Sequence, residues 1–124
     1  MPFAALIGIE LLEASPGLVR GRLAWAPERC TAGGLMHGGA LMALADSCGG
    51  ACAYLNLPEG ALGTATIGSN TNFLRALREG AALASARPLP RARTMIVIET
   101  EVAGEDGALV AKVSQTQAFH WPRP

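Results

Sequence analysis

Two hydrophobic periods divide the chain. Over residues 18–25, Val19, Gly21, Leu23 and Trp25 alternate with Arg20 and Arg22, the period-two signature of a strand with one buried and one wet face. Residues 9–14 read as the strand before it, and Ser15-Pro16-Gly17 between the two is a turn signal. The short apolar stretch over 3–9 reads as a helical turn leading into that first strand, and 27–34 as a loop. Residues 38–57 then lose the alternation. Apolar side chains fill nearly every position there, which predicts one long helix covered on all sides. Gly49 and Gly50 fall inside it. Each costs a helix interior about 1 kcal/mol relative to alanine, tolerable where another backbone or side chain comes close. Pro58-Glu59-Gly60 ends the helix.

Four more strands follow, over 64–74, 81–87, 94–103 and 109–119. Arg78-Glu79-Gly80 precedes the second of them, and the Asp-Gly pair of Glu105-Asp106-Gly107 is a hairpin signal between the last two. The order is two strands, one long buried helix, then four strands. An antiparallel sheet wrapped around the helix satisfies that burial and gives an α+β domain.

Composition narrows the classes. At 124 residues the chain fits one domain. Half of it is apolar and only 16% is charged, with a mean hydropathy of +0.28. No run approaches the ~18 apolar residues needed to span a bilayer, so the surplus points to a buried subunit interface. The first residues lack the charged region of a signal peptide, and a cytoplasmic location is expected. Ten basic and ten acidic residues cancel, which leaves no strongly basic face for nucleic acid. Cys30, Cys48 and Cys52 are odd in number and match no common zinc spacing. They read as small buried hydrophobes, and no metal or cofactor is expected.

The chemistry concentrates in Gly33-Gly34-Leu35-Met36-His37-Gly38-Gly39, which runs into Ala40-Leu41-Met42-Ala43-Leu44-Ala45-Asp46. Glycines expose amide N–H groups at a helix start, where partial positive charge collects. Nine residues after His37, Asp46 is the only acid among alanines and leucines, where an unpaired charge is costly. A place for an oxyanion and a place to activate an oxygen thus share one segment, and hydrolysis of an acyl compound is the reading that follows. The amide of Gly38 or of Gly39 suits the oxyanion, because no side chain blocks approach. Asp46 suits the nucleophile or the general base. His37 either donates a hydrogen bond to substrate or holds the glycine loop. Ser47 is turned about 100° from Asp46 around the helix and is left out.

Four segments together resemble the hotdog-fold superfamily and, within it, the PaaI-like acyl-CoA thioesterases. They are His37-Gly38-Gly39 with Asp46 in Leu44-Ala45-Asp46-Ser47, Asn72-Phe73-Leu74-Arg75, Arg91-Ala92-Arg93 before a β-branched strand, and Glu105-Asp106-Gly107-Ala108-Leu109-Val110-Ala111. The resemblance runs from about residue 18 to 119. It implies a single hotdog domain over 1–124, with a five- or six-stranded antiparallel sheet around one central helix and an acyl-CoA substrate. It also places the Thr66 hydroxyl near an attacking water and implies substrate contacts at Thr31 and Asn72. Two positions depart from the family: Thr31 stands where Asn or Gln is frequent, and Ala76 where Pro is common after "FLR". For the phosphates of CoA, Arg75, Arg91 and Arg93 supply guanidinium groups.

Helix geometry adds one constraint. Gly38 and Asp46 are eight residues apart, about 12 Å along one helix, too far for one carbonyl to touch both. A site using both therefore takes one from each of two chains, at a two-fold dimer interface, with a tetramer as the further possibility. Two rival readings remain. A hotdog hydratase or dehydratase would rely on His37 paired with an acid, and a non-catalytic acyl-CoA binding module would lack turnover altogether.

Overall fold

The computed structural model describes all 124 residues. A short helix α1 (Pro2–Ile7) ends at Gly8, whose φ of 92° makes the left-handed turn into the sheet. Strands β1 (Glu10–Ser15) and β2 (Leu18–Ala24) form a hairpin. The loop after β2 contains two single 3₁₀ turns, Pro27–Arg29 and Ala32–Gly34. The long helix α2 spans Gly38–Leu55, two residues shorter than its pattern predicts. Strands β3 (Gly63–Phe73), β4 (Ala81–Pro88), β5 (Met95–Ala103) and β6 (Leu109–His120) complete the chain. All six strands join one antiparallel sheet in the order β1-β2-β4-β5-β6-β3. This is the α+β architecture the two periods predict, with six strands.

The sheet wraps α2 because its inner positions are apolar and small. Val19 and Leu23 of β2, Ala82, Ala84 and Ala86 of β4, and Ile96, Ile98 and Val102 of β5 are buried in one core with Leu41, Leu44, Ala45, Cys48 and Cys52 of α2. Gly21 lets the helix close on β2, since a Cβ there would lie 2.5 Å from Cys48 Sγ. The outer face is ionic. Arg22 reaches Glu10 at 3.1 Å and Glu105 at 3.7 Å, and Lys112 lies 3.8 Å from both Glu99 and Glu101.

One expectation fails within the single chain. The sheet covers one side of α2, and Met42, Asp46, Tyr54 and Leu55 on the other side are exposed. Neighbouring β3 is a sheet edge, and its Ile67 and Phe73 are 62% and 51% exposed. An apolar helix face and an open strand edge thus lie side by side, which is where the apolar surplus of the composition goes.

Candidate active site

His37 stands at the start of α2 in an extended conformation, and its Nδ1 accepts the Gly39 N–H at 2.8 Å. Its carbonyl takes the Ala40 and Leu41 amides. With Nδ1 an acceptor, the neutral ring carries its proton on Nε2. The loop before it is pinned by the bonds from Met36 N–H to the Leu77 carbonyl and from His37 N–H to the Arg29 carbonyl, both 2.8 Å. Arg29 in turn donates to the Ile7 carbonyl at 2.6 Å and to the Ala24 carbonyl at 2.9 Å. It ties α1, β2 and the histidine loop together, a role with no signature in the sequence.

The two glycines after His37 are not equivalent. The Gly39 amide is consumed by the histidine ring, whereas the Gly38 N–H has no acceptor within the chain. Gly38 lines a groove of about 380 Å³ with Thr31, Phe73 and Arg75. His37 and Gly39 line a different groove of about 310 Å³ with Phe3, Arg29 and Cys30. The turn therefore divides two surfaces.

Two turns along α2, Asp46 sits on the uncovered face with no cation beside it. Its Oδ1 accepts one hydrogen bond, from Gln115 Nε2 of β6 at 3.3 Å. Next along β6, Gln117 donates to Thr66 Oγ1 at 2.6 Å. Both glutamines are almost fully buried. The sequence reading missed them. Their signal was present in the alternation Val113, Gln115, Gln117, Phe119, where two amides occupy inward positions of an otherwise apolar face. On the same helix ridge as Asp46, at four-residue steps, Gly50 and Tyr54 border an apolar groove of about 510 Å³ with Ala14, Leu55, Gly63 and Thr64.

The other expected positions lie apart. Asn72 pairs in register with Lys112 and so faces the outer, ionic side of the sheet, away from Asp46. Arg75 grips Asp106 through two N–H···O bonds of 2.9 and 3.0 Å, which hold the Asp106 carboxyl below the usual carboxylate range. Arg91 donates to the Asn56 carbonyl at 2.9 Å, at the far end of α2 from Gly38. Arg93 is exposed with no partner in the chain. Within one protomer the three arginines thus do not converge, since Arg75 and Arg91 stand at opposite ends of a helix about 27 Å long. Cys48 and Cys52 pack in the core. Burial, reinforced by Cys52, pushes the Cys48 thiol up to about 12, and burial also raises Cys52.

A family model described as "Thioesterase superfamily" matches residues 33–111, from the glycine loop to β6. The chain belongs to the thioesterase superfamily. A relative from Deinococcus radiodurans that carries a provisional esterase name is 36% identical over 114 residues, 90% of this chain and 74% of that protein. One from Pseudomonas aeruginosa, provisionally named esterase PA1618, is 38% identical over 74 residues; the match spans 60% of this chain and about half, 51%, of that protein. A structure of a point mutant of PA1618, there called a thioesterase, superposes with a TM-score of 0.89 at 28% identity, covering 95% of this chain and 85% of that one. The phenylacetic acid degradation protein PaaI of Thermus thermophilus gives 0.86 at 26% identity, covering 97% and 99%. The thioesterase-superfamily chain thus has the hotdog fold, with PaaI among its structural neighbours.

Proposed function

We propose that this hotdog chain is a cytoplasmic acyl-CoA thioesterase, one domain over residues 1–124, that works as a homodimer or tetramer. Asp46 is the observation that carries the reading. It is the only charged side chain of α2, it has no counter-ion, and it stands on a face the chain leaves open. A carboxylate so presented can attack a thioester carbonyl, forming a mixed anhydride that water then cleaves, or can take a proton from the water that attacks. By either route one water is consumed, the acyl group ends as the free acid, and CoA leaves as the thiol. The unbonded Gly38 N–H, at a helix start, receives the negative charge that develops on the carbonyl oxygen.

About 12 Å separates Gly38 from Asp46 along α2, so each site joins Gly38 of one protomer to Asp46 of another. The exposed β3 edge and helix face supply a surface for that pairing. The apolar groove by Gly50 and Tyr54 suits the acyl group. A hydratase is less well served, because Nδ1 of His37, the one histidine near the helix, is spent on a backbone amide. Thiol release measured over aryl, short-chain and long-chain acyl-CoAs tests the reaction. Turnover on at least one, reduced about 10²- to 10⁴-fold in Asp46→Asn, is expected. No release from any substrate, or an unimpaired Asp46→Asn, overturns the assignment.

A further inference from the structure

Gln115 is an expensive residue where it stands. It is 1% exposed, on a largely apolar sheet face where it pairs with Ile98 and is followed inward only by Gln117 and Phe119. Its Nε2 donates to Asp46 Oδ1 at 3.3 Å, while its Oε1 is buried with no partner at all. Leaving a buried amide oxygen unsatisfied is destabilising, a penalty that a leucine or methionine here would avoid. The helix is cut away to admit it: a Cβ on Gly49 would overlap Gln115 Oε1 and lie 2.5 Å from its Cδ. Gly49 comes three residues after Asp46, so the notch and the carboxylate share one turn of α2. Since only nitrogen can donate to a carboxylate, the amide is oriented with its oxygen in the notch.

We infer that Gln115, seated in the Gly49 notch, is a positioning residue that fixes the Asp46 carboxylate for reaction with the thioester; the inference rests on the reading of Asp46 given above. No charged side chain of the sheet face turned toward α2 competes for the task, because Glu10, Arg20, Arg22, Glu99, Glu101 and Lys112 all point to the outer face. Gln115 acts on chemistry through Asp46 and touches no substrate, so its removal lowers kcat and leaves KM alone.

The test uses the full chain and the acyl-CoA with the best wild-type turnover. Gln115→Met keeps the volume and deletes the N–H; Gly49→Ala keeps the amide and blocks its seat. Each is expected to lower kcat about 10- to 100-fold, with KM within about two-fold. Thermal unfolding should show Gln115→Met at least as stable as the wild type. In an Asp46→Asn background, Gln115→Met should cause no further loss, because the residue it positions is gone. Where Asp46→Asn abolishes turnover and Gln115→Met retains it, or where the two losses multiply, the positioning role is wrong and the thioesterase reading stands. If Asp46→Asn is unimpaired, or the wild type turns over no substrate, both fall together. If either Gln115→Met or Gly49→Ala unfolds the protein, the remaining variant decides.

Discussion

Nδ1 of His37 lies 2.8 Å from the Gly39 amide it caps, so the residue most readily taken for an acid or base is the first fastening of α2. An N-cap of this type contributes about 1 kcal/mol. His37→Ala is expected to lower stability by that amount in urea titration, and His37→Asn to restore it, since asparagine also caps. Turnover should follow stability in both variants. A His37→Asn protein with full stability and depressed kcat would instead place the His37 Nε2–H on the substrate.

Gly38 permits a cleaner test of the oxyanion donor. It is the first residue of α2, and His37 before it has φ −61° and ψ 135°, the conformation that precedes proline without strain. Proline at the first helical position loses no intrahelical bond. Gly38→Pro therefore removes one N–H and little else; the ring need only displace Phe73, whose Cζ lies 3.1 Å from a Cβ built there and whose side chain is half exposed. A fall in kcat of about 10²- to 10³-fold with a nearly unchanged melting temperature is expected. Undiminished thiol release from Gly38→Pro would assign the oxyanion to another donor.

The Arg75–Asp106 pair predicts a pH dependence. Two N–H bonds from Arg75, then the Ala108 amide, hold the folded carboxyl below its ordinary 3.8. The folded protein therefore binds fewer protons near that pH than the unfolded chain, and stability falls with falling pH. The contribution is fully present above the ordinary value and is lost as pH drops through 3.8 toward the lower folded value. Urea midpoints for the wild type and Asp106→Asn should differ at pH 6 and converge on acidification. A gap that persists unchanged in strong acid would show that the pair acts through shape alone. Because Arg75 is committed to this hairpin, Arg75→Ala is expected to loosen the β5–β6 turn as well as any phosphate contact.

The residue pattern reveals some of this arrangement directly and conceals the rest. Alternation at Val19, Gly21 and Leu23 located β2, and the apolar block after Gly38 located α2, because burial on one face or on most faces imposes those periods directly. Strand order left no such trace. That β3 lies beyond β6 and forms an edge depends on pairing between residues far apart in sequence, so the exposure of Ile67 and Phe73 was not legible. Within the site, Gly38, Gly39 and Asp46 stood out through composition. The division of labour between the two glycines depends on which way one imidazole turns. Gln115 and Gln117 alternate in step with Val113 and Phe119, but it takes the register, which sets that face inward, to show that their amides are buried.

The separation of Gly38 and Asp46 yields the most demanding prediction. Both lie on one rigid helix, so no loop motion brings them to a single carbonyl. If each site takes Gly38 from one chain and Asp46 from the next, two dead parents should complement. An Asp46→Asn chain keeps its Gly38, and a Gly38→Pro chain keeps its Asp46. In a dimer of one of each, one site inherits both defects and the other inherits neither. Random exchange of equal amounts makes half the dimers mixed, with one intact site in two, so about a quarter of wild-type activity should return. Mixing the parents, unfolding and refolding them together, and assaying thiol release checks this directly. Activity that stays at the level of the parents, or a wild-type protein fully active as a monomer by sedimentation at assay concentration, would confine the chemistry to one chain. Gly38 and Asp46 would then be unable to serve the same thioester, and the helix-start amide would lose its role before the carboxylate did.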